Sequence, residues 1–310
     1  MSQSKKYTSG AMSPVSPKAS ALESVQMTRI YNCSVASEFT AGMRLARSAI
    51  GRGALVVIPT DTVYGIAADA FSPEAVQKLL DAKGRDRQSP PPVLIPGLPA
   101  LDGLAAEVPQ PARDLAEAFW PGGLTLILKA QPSLAWDLGE TKGTVALRVP
   151  SNQVALDLLA ETGPLAVSSA NRTGMPSAID AEGAEEMLGN SVSVYLDGGV
   201  AGLEYDAIGD RPGDTSSTIV DATGFEHNGG KLRIVRNGVI SRAQIEAVIG
   251  DALAAIAEPT AADAAEATPA KDATDATDAA ATDAAATDAS ATEAAVLPVD
   301  LTAADSSARR

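Results

Sequence analysis

Short apolar runs alternate with helix-period segments through the middle of the chain. Residues 54–59, ALVVIP, are a continuous apolar run closed by a proline, which predicts a buried strand. The period then changes. SPEAVQKLLDAK (72–83) opens with Ser72 as a cap and Pro73 in the first turn, and its apolar residues recur at helical spacing. Further on, PVLIP (92–96) reads as a short strand between prolines, PARDLAEAF (111–119) as a helix and LTLILK (124–129) as a strand. GTVALRVP (143–150) predicts a strand ending at proline, NQVALDLLAETG (152–163) a helix stopped by glycine, and PLAVSSAN (164–171) a strand running into a polar turn. AEGAEEML (181–188) reads as a helix, and SVSVYLDGG (191–199), SSTIVDAT (216–223) and KLRIVRNG (231–238) as strands. SRAQIEAVIG (241–250) closes the series with a capped helix. Interleaved strands and helices predict an α/β layer fold. The link from SSTIVD to LRIVR is too short for a crossover helix, so a mixed sheet is expected.

The two ends have a different character. Residues 1–24 are Ser-rich with scattered prolines and predict a disordered arm. Residues 251–310 are an Ala/Thr/Asp tract with a loose TDA repeat and no apolar face, which predicts a disordered acidic tail. One globular block, residues 25–250, is expected between them. Its aliphatic content decides the kind of core, because the chain is 45% hydrophobic but only 4% aromatic. The net charge of −15 is uneven: 12 acidic and 3 basic residues follow Gly250, and 27 and 21 precede it. That balance argues against a broad basic face for nucleic acid and leaves room for a local basic cleft. Cys33 is the single cysteine and His227 the single histidine, so no intrachain disulfide and no cysteine-based zinc site can form. No apolar run approaches the roughly 18 residues of a membrane span, and the N-terminus lacks a secretory apolar region, so a cytoplasmic location is expected.

The common phosphate loops, the paired-cysteine and HExxH metal spacings and the GxSxG elbow are all missing from the sequence. What remains are polar groups at strand and helix ends. KGRDR (83–87) gathers Lys83, Arg85 and Arg87 after a helix; Lys83 and Arg85 would share one face of an extended chain and suit phosphate oxygens. A solvated helix end whose cations meet the dipole is the alternative. VSSANRTGMPS (167–177) places Ser168, Ser169, Asn171 and Ser177 just after a buried strand, where α/β sheets bind ligands, or else in a plain hydroxyl turn. Thr144 and Arg148 lie on one face of their strand, and a lone arginine there is costly unless it meets an anion. Ser217 and Arg236 add a hydroxyl and a cation at strand ends. Hydroxyls and cations without an evident protein nucleophile suit positioning and electrostatics, which points to nucleotidyl transfer with Mg²⁺ arriving on ATP.

PTDTVYG, KGR before a Pro-rich strand, LRVP, SSAN with the following G and PS, SSTIVD and RIVRNG occur in this order across residues 28–250. Together they resemble the YrdC-like family of threonylcarbamoyl-AMP synthases. The resemblance implies a twisted mixed α/β sheet with a concave basic cavity. It implies condensation of L-threonine, bicarbonate and ATP into threonylcarbamoyl-adenylate and pyrophosphate, with a downstream threonylcarbamoyl transferase complex modifying tRNA. Matched motif by motif, it implies Thr62, Arg148 and Ser217 as threonine contacts. Arg85, Ser89, Thr144, Ser169, Ser177 and Arg236 become ATP contacts, with Asn171 on the nucleotide side. Lys83 and Arg85 become the catalytic cations, and no metal is held by the protein itself. Two features depart from the pattern. Leu94 or a neighbour stands where many members have a histidine, and AGLEYDAIGDRPGDTS (201–216) is long enough to form a flap. The alternative function is a double-stranded-RNA-binding module of the same fold; the acidic balance leaves it at most a weak RNA contact. A related carbamoyl-adenylate chemistry in larger hydrogenase-maturation proteins would need domains and cysteines that this chain lacks.

Overall fold

The computed structural model describes residues 30–205 and 215–255. Its strands are β1 (Ile30–Asn32), β2 (Val56–Ile58), β3 (Gly65–Asp69), β4 (Val93–Leu94), β5 (Ala105–Glu107), β6 (Leu124–Ala130), β7 (Thr144–Arg148), β8 (Leu165–Ser169), β9 (Val194–Asp197), β10 (Thr218–Asp221) and β11 (Arg233–Arg236). Its helices are α1 (Ala36–Ile50), α2 (Pro73–Lys83), α3 (Leu101–Leu104), α4 (Gln110–Phe119), α5 (Gln153–Thr162), α6 (Ala181–Leu188) and α7 (Arg242–Ile249). The strands form one mixed sheet in the order β1-β9-β2-β3-β8-β4-β7-β6-β10-β11, with β5 paired to β6. β2–β3, β3–β8, β4–β8 and β6–β7 are antiparallel, whereas β4–β7 and β6–β10 are parallel.

Every element expected from periodicity is present within a few residues. Five elements were not expected, the four-residue α3 among them. α1 turns Gly42, Ala46 and Ala49 inward with Met43 and Ile50, and small residues make a faint apolar stripe. β3 is GIAAD, whose glycine and alanines have little strand preference; antiparallel pairing on both sides holds it. β1 and β5 are three residues each and rely on one neighbour. Residues 251–255, expected to begin the tail, continue the fold: Leu253 is buried and bridges to Leu232. The expectations for residues 1–24, for the tail from 256 and for the middle of the 201–216 flap fall outside the described residues.

Helices cover the sheet unequally, and that inequality makes the site. α1 and α5 pack on one face of β2, β3 and β8, through residues such as Ala46, Ile50, Leu158 and Leu159 against Val56, Ile58 and Ala67. α2 and α6 cover the opposite face there, with Leu79, Ala184 and Leu188 against Val57, Ile66 and Ala68. On β4, β6, β7 and β10, α4 and α7 cover a single face. Leu115, Ala116 and Ile245 meet Leu124, Leu126, Leu128, Leu147, Val93 and Val220. Side chains alternate along a strand, so the neighbours of those residues point the other way: Thr125 and Ile127 on β6, Thr144, Ala146 and Arg148 on β7, Ile219 on β10 and Leu94 on β4. All of them line a cavity.

Leu126 is fully buried on the helix-covered face. Leu126→Ala is expected to lower unfolding free energy by about 2–5 kcal/mol in urea titration. Ligand affinity in the cavity should change little, because Leu126 faces away from it.

Candidate active site

The cavity has a volume of about 360 Å³, within the range of small-molecule sites. Three guanidinium groups, Arg85, Arg148 and Arg236, line it together with the hydroxyls of Thr60, Thr62, Thr125, Thr141, Thr144, Ser168, Ser169, Ser177, Ser216 and Ser217. Among the described residues, no carboxylate, imidazole, thiol or amine lines it.

The β2–β3 connection supplies Thr60 and Thr62. Thr60 Oγ1 donates to the Val63 carbonyl and accepts from the Thr62 and Val63 amides, a hydroxyl turn that folds PTDT back on itself. Arg148, at the end of β7, is buried beside this turn. Its Nε donates to the Gly122 carbonyl (2.9 Å), one terminal nitrogen to Thr62 Oγ1 (2.9 Å) and the other to Asp61 Oδ1 (2.7 Å). A guanidinium has five N–H groups, so one on each terminal nitrogen has no acceptor among the described residues. Gly123 follows the carbonyl that holds Nε, and a Cβ there would lie 2.2 Å from Val239 Cγ2, so the backbone needs glycine at this approach.

Across the sheet, Ser217 Oγ shares a hydrogen bond with Thr125 Oγ1 (2.9 Å), and Arg236 donates to both the carbonyl and the hydroxyl of Ser217. Arg85 has a single acceptor among the described residues, Ser168 Oγ at 3.3 Å, which leaves most of its donors facing the cavity.

Lys83 is where the structure corrects the sequence. The extended-chain reading placed it on one face with Arg85, but α2 ends at Lys83 and Gly84 takes a left-handed conformation (φ 62°). The two cations stay near each other, on the neighbouring residues Ser169 and Ser168, but only Arg85 lines the cavity. Lys83 is buried and absent from the cavity lining. Its ammonium donates to the carbonyls of Ser169 and Asn171 and to Asn171 Oδ1, while the Thr173 amide donates to the Lys83 carbonyl. Asn171 spends its amide on the Arg172 and Met175 carbonyls. Lys83 and Asn171 therefore hold the turn that presents Ser169 and Ser177. Ser89 is exposed and also outside the lining. Arg85, Thr62, Thr144, Arg148, Ser169, Ser177, Ser217 and Arg236 do converge on the cavity. Sequence reasoning missed Asp61, Gly122, Thr125 and Tyr205. The strand alternation in LTLILK could have flagged Thr125; the others act through contacts distant in sequence. Leu94, near the position where the family pattern has a histidine, lines the cavity in register with Arg148.

A mixed sheet with arginines and hydroxyls on one open face, and no general base among the described lining residues, is an arrangement chemically suited to small anionic ligands. The Sua5/YciO/YrdC family model, described as Telomere recombination, matches residues 48–238, and the chain belongs to this family. A Mycobacterium leprae protein, named provisionally as a threonylcarbamoyl-AMP synthase, is 45% identical over 226 residues, covering 73% of this chain and 96% of that protein. The Bacillus subtilis threonylcarbamoyl-AMP synthase is 38% identical over 199 residues, covering 63% of this chain and 53% of its own length. The crystal structure of Pyrococcus abyssi Sua5 complexed with L-threonine superposes with a TM-score of 0.62 at 30% identity, covering 72% of this chain and 61% of that one. Among the described residues, no helix is long and apolar enough to cross a membrane.

Burial, and after it the Arg85 charge, pull the Lys83 ammonium down to about 7. In the unfolded chain a lysine titrates near ~10.4. Between these values the unfolded state binds more protons, so stability rises with pH and is lost as pH falls toward 7. Burial pushes the Cys33 thiol up to about 11, with the opposite sign above its ordinary range. The window from about pH 7 to 8.5 therefore isolates Lys83. The urea midpoint should rise across that window in the wild type and stay flatter in Lys83→Met.

Proposed function

We propose that this chain is a threonylcarbamoyl-AMP synthase, joining L-threonine, bicarbonate and ATP into threonylcarbamoyl-adenylate with release of pyrophosphate. The observation that carries this is Arg148: a buried guanidinium with two donors left for an anion, in a cavity whose other groups are hydroxyls and two further arginines. The family relationship supports the same reading.

Among the described residues the lining offers no general base to activate its hydroxyls, so the reactive groups come from the substrates. The threonine amine takes up CO₂ derived from bicarbonate to give a carbamate. A carbamate oxygen attacks the α-phosphorus of ATP, and pyrophosphate leaves with the electrons of the broken P–O bond. Arg148 holds the threonine carboxylate by its two remaining N–H groups, and Thr62 and Ser217 address the rest of the amino acid. Arg85, Arg236, Thr144, Ser169 and Ser177 hold ATP and offset the charge that develops at phosphorus. Lys83 and Asn171 act through the 169–175 turn. Mg²⁺ enters as part of the ATP substrate, since the described lining residues supply hydroxyl oxygens and no carboxylate. A separate threonylcarbamoyl transferase consumes the adenylate in tRNA modification in the cytoplasm. The net charge of −15 disfavours the RNA-binding alternative.

Pyrophosphate release from ATP and Mg²⁺ should require both threonine and bicarbonate. Arg85→Ala should lower kcat/KM for ATP about 10²-fold or more, as expected for loss of a charged contact to the transferring phosphate. Release that needs neither co-substrate would overturn the proposal. RNA affinity with a steep salt dependence and no turnover would favour the alternative.

A further inference from the structure

Asp61 lies next to the proposed threonine site without opening into it. Its side chain is 1% exposed, and that of Arg148 is 8% exposed. Both carboxylate oxygens are already taken. Oδ1 accepts from Arg148 at 2.7 Å and from the Ser151 amide at 3.0 Å, and Oδ2 accepts from the Tyr205 hydroxyl at 3.0 Å. A carboxylate so saturated has little capacity to touch substrate. It can, however, fix the rotation of its neighbour. Gly122 holds the Nε edge of Arg148, Thr62 holds one terminal nitrogen and Asp61 the other. Without Asp61 the guanidinium would be anchored along one side and free to tilt about it, and a two-point grip on a carboxylate tolerates little tilt.

We propose that Asp61 is a positioning residue that sets the Arg148 fork for the substrate carboxylate. Tyr205 in turn fixes Asp61 from the far side. The inference rests on the reading of Arg148 as the threonine carboxylate holder. A purely structural ion pair would be an expensive way to fill this space, because apolar side chains of similar volume usually stabilise as well or better. Here the pair sits at the cavity wall, with the cation directed into the site and the anion kept behind it. Burial, followed by the Asp61 charge, pushes the Tyr205 hydroxyl up to about 12, so it remains a donor to Asp61 throughout the working pH range.

The experiment measures pyrophosphate release by the full-length chain, varying threonine at saturating ATP and ATP at saturating threonine. Asp61→Ala should raise the threonine KM about tenfold or more and leave the ATP KM within about twofold. Asp61→Asn keeps an acceptor oxygen for Arg148 and Ser151 and should recover most of the loss. The preference for threonine over its primary amide, which lacks the anion, should shrink in Asp61→Ala, a change that a general loss of stability would not produce. A folded Asp61→Ala with an unchanged threonine KM, or with both KM values raised together, overturns the proposal. Should Asp61→Ala fail to fold, Tyr205→Phe carries the test: a rise of about threefold in the threonine KM alone is expected, and no change overturns it. A wild type with no threonine dependence overturns the reading of Arg148 and this inference with it. A threonine-dependent wild type whose Asp61 and Tyr205 variants are insensitive overturns this inference alone.

Discussion

A charged guanidinium on the open face of a β-sheet is the constraint around which the rest is arranged. Arg148 sits at the end of β7 with almost no solvent contact. Leaving one partner of such a buried pair unmatched typically costs about 3–5 kcal/mol. The chain brings three acceptors to it from two separate places: Asp61 and Thr62 from the β2–β3 connection and the Gly122 carbonyl from the segment before β6. Each demands something locally. The Thr60 hydroxyl turn folds PTDT so that residues 61 and 62 both reach Arg148. Gly123 lets the chain after Gly122 pass close to Val239. Strand pairing alone does not join them: Arg148 is level with Leu94, Leu165 and Asp69, whereas Gly65, next to the Thr62 turn, is level with Ser169, so the turn and the long arginine side chain reach each other across the sheet face.

Unequal helix coverage explains why that end is hollow. Where β2, β3 and β8 have helices on both faces, the strands are apolar on both faces. Where β6, β7 and β10 are covered only by α4 and α7, one face is leucine and valine and the other carries Thr125, Thr144, Arg148 and Ile219. The uncovered face does not read as ordinary surface, since much of it is buried within the cavity wall. Polar groups there satisfy one another in chains such as Thr125–Ser217–Arg236, and this fixes hydroxyl and guanidinium directions before any substrate arrives.

The sequence makes some of this legible and hides the rest for definable reasons. α2 can be read because Ser72, Pro73 and the apolar spacing all agree. α1 cannot, because its inward residues are largely glycine and alanine, and β3 cannot, because GIAAD is strand only by pairing. Arg148, Thr144 and Ser217 stand out as polar residues in apolar strands. Asp61 does not, because its meaning lies in Arg148, 87 positions away, and in Tyr205, 144 away. Lys83 was visible as a cation but not as a buried one. Its burial depends on the Ser169 and Asn171 carbonyls, more than 80 positions away, folding over its ammonium.

The burial of Lys83 also bears on how charge is used. The chain as a whole is strongly acidic, yet among the described residues its cavity lining contains three arginines and no acid. Asp61, beside the site, is turned behind Arg148 and held by Tyr205 and the Ser151 amide. Lys83 is turned beneath the Ser169–Asn171 turn. An exposed lysine amine could compete with a substrate amine for CO₂ or for an activated phosphate, and an exposed carboxylate could repel both the amino acid carboxylate and the triphosphate. Arginine does neither, because it keeps its charge and is a poor nucleophile. The arrangement thus uses Lys83 and Asp61 to hold Ser169, Asn171 and Arg148 in place, while leaving the described cavity surface to groups that bind anions without reacting with them.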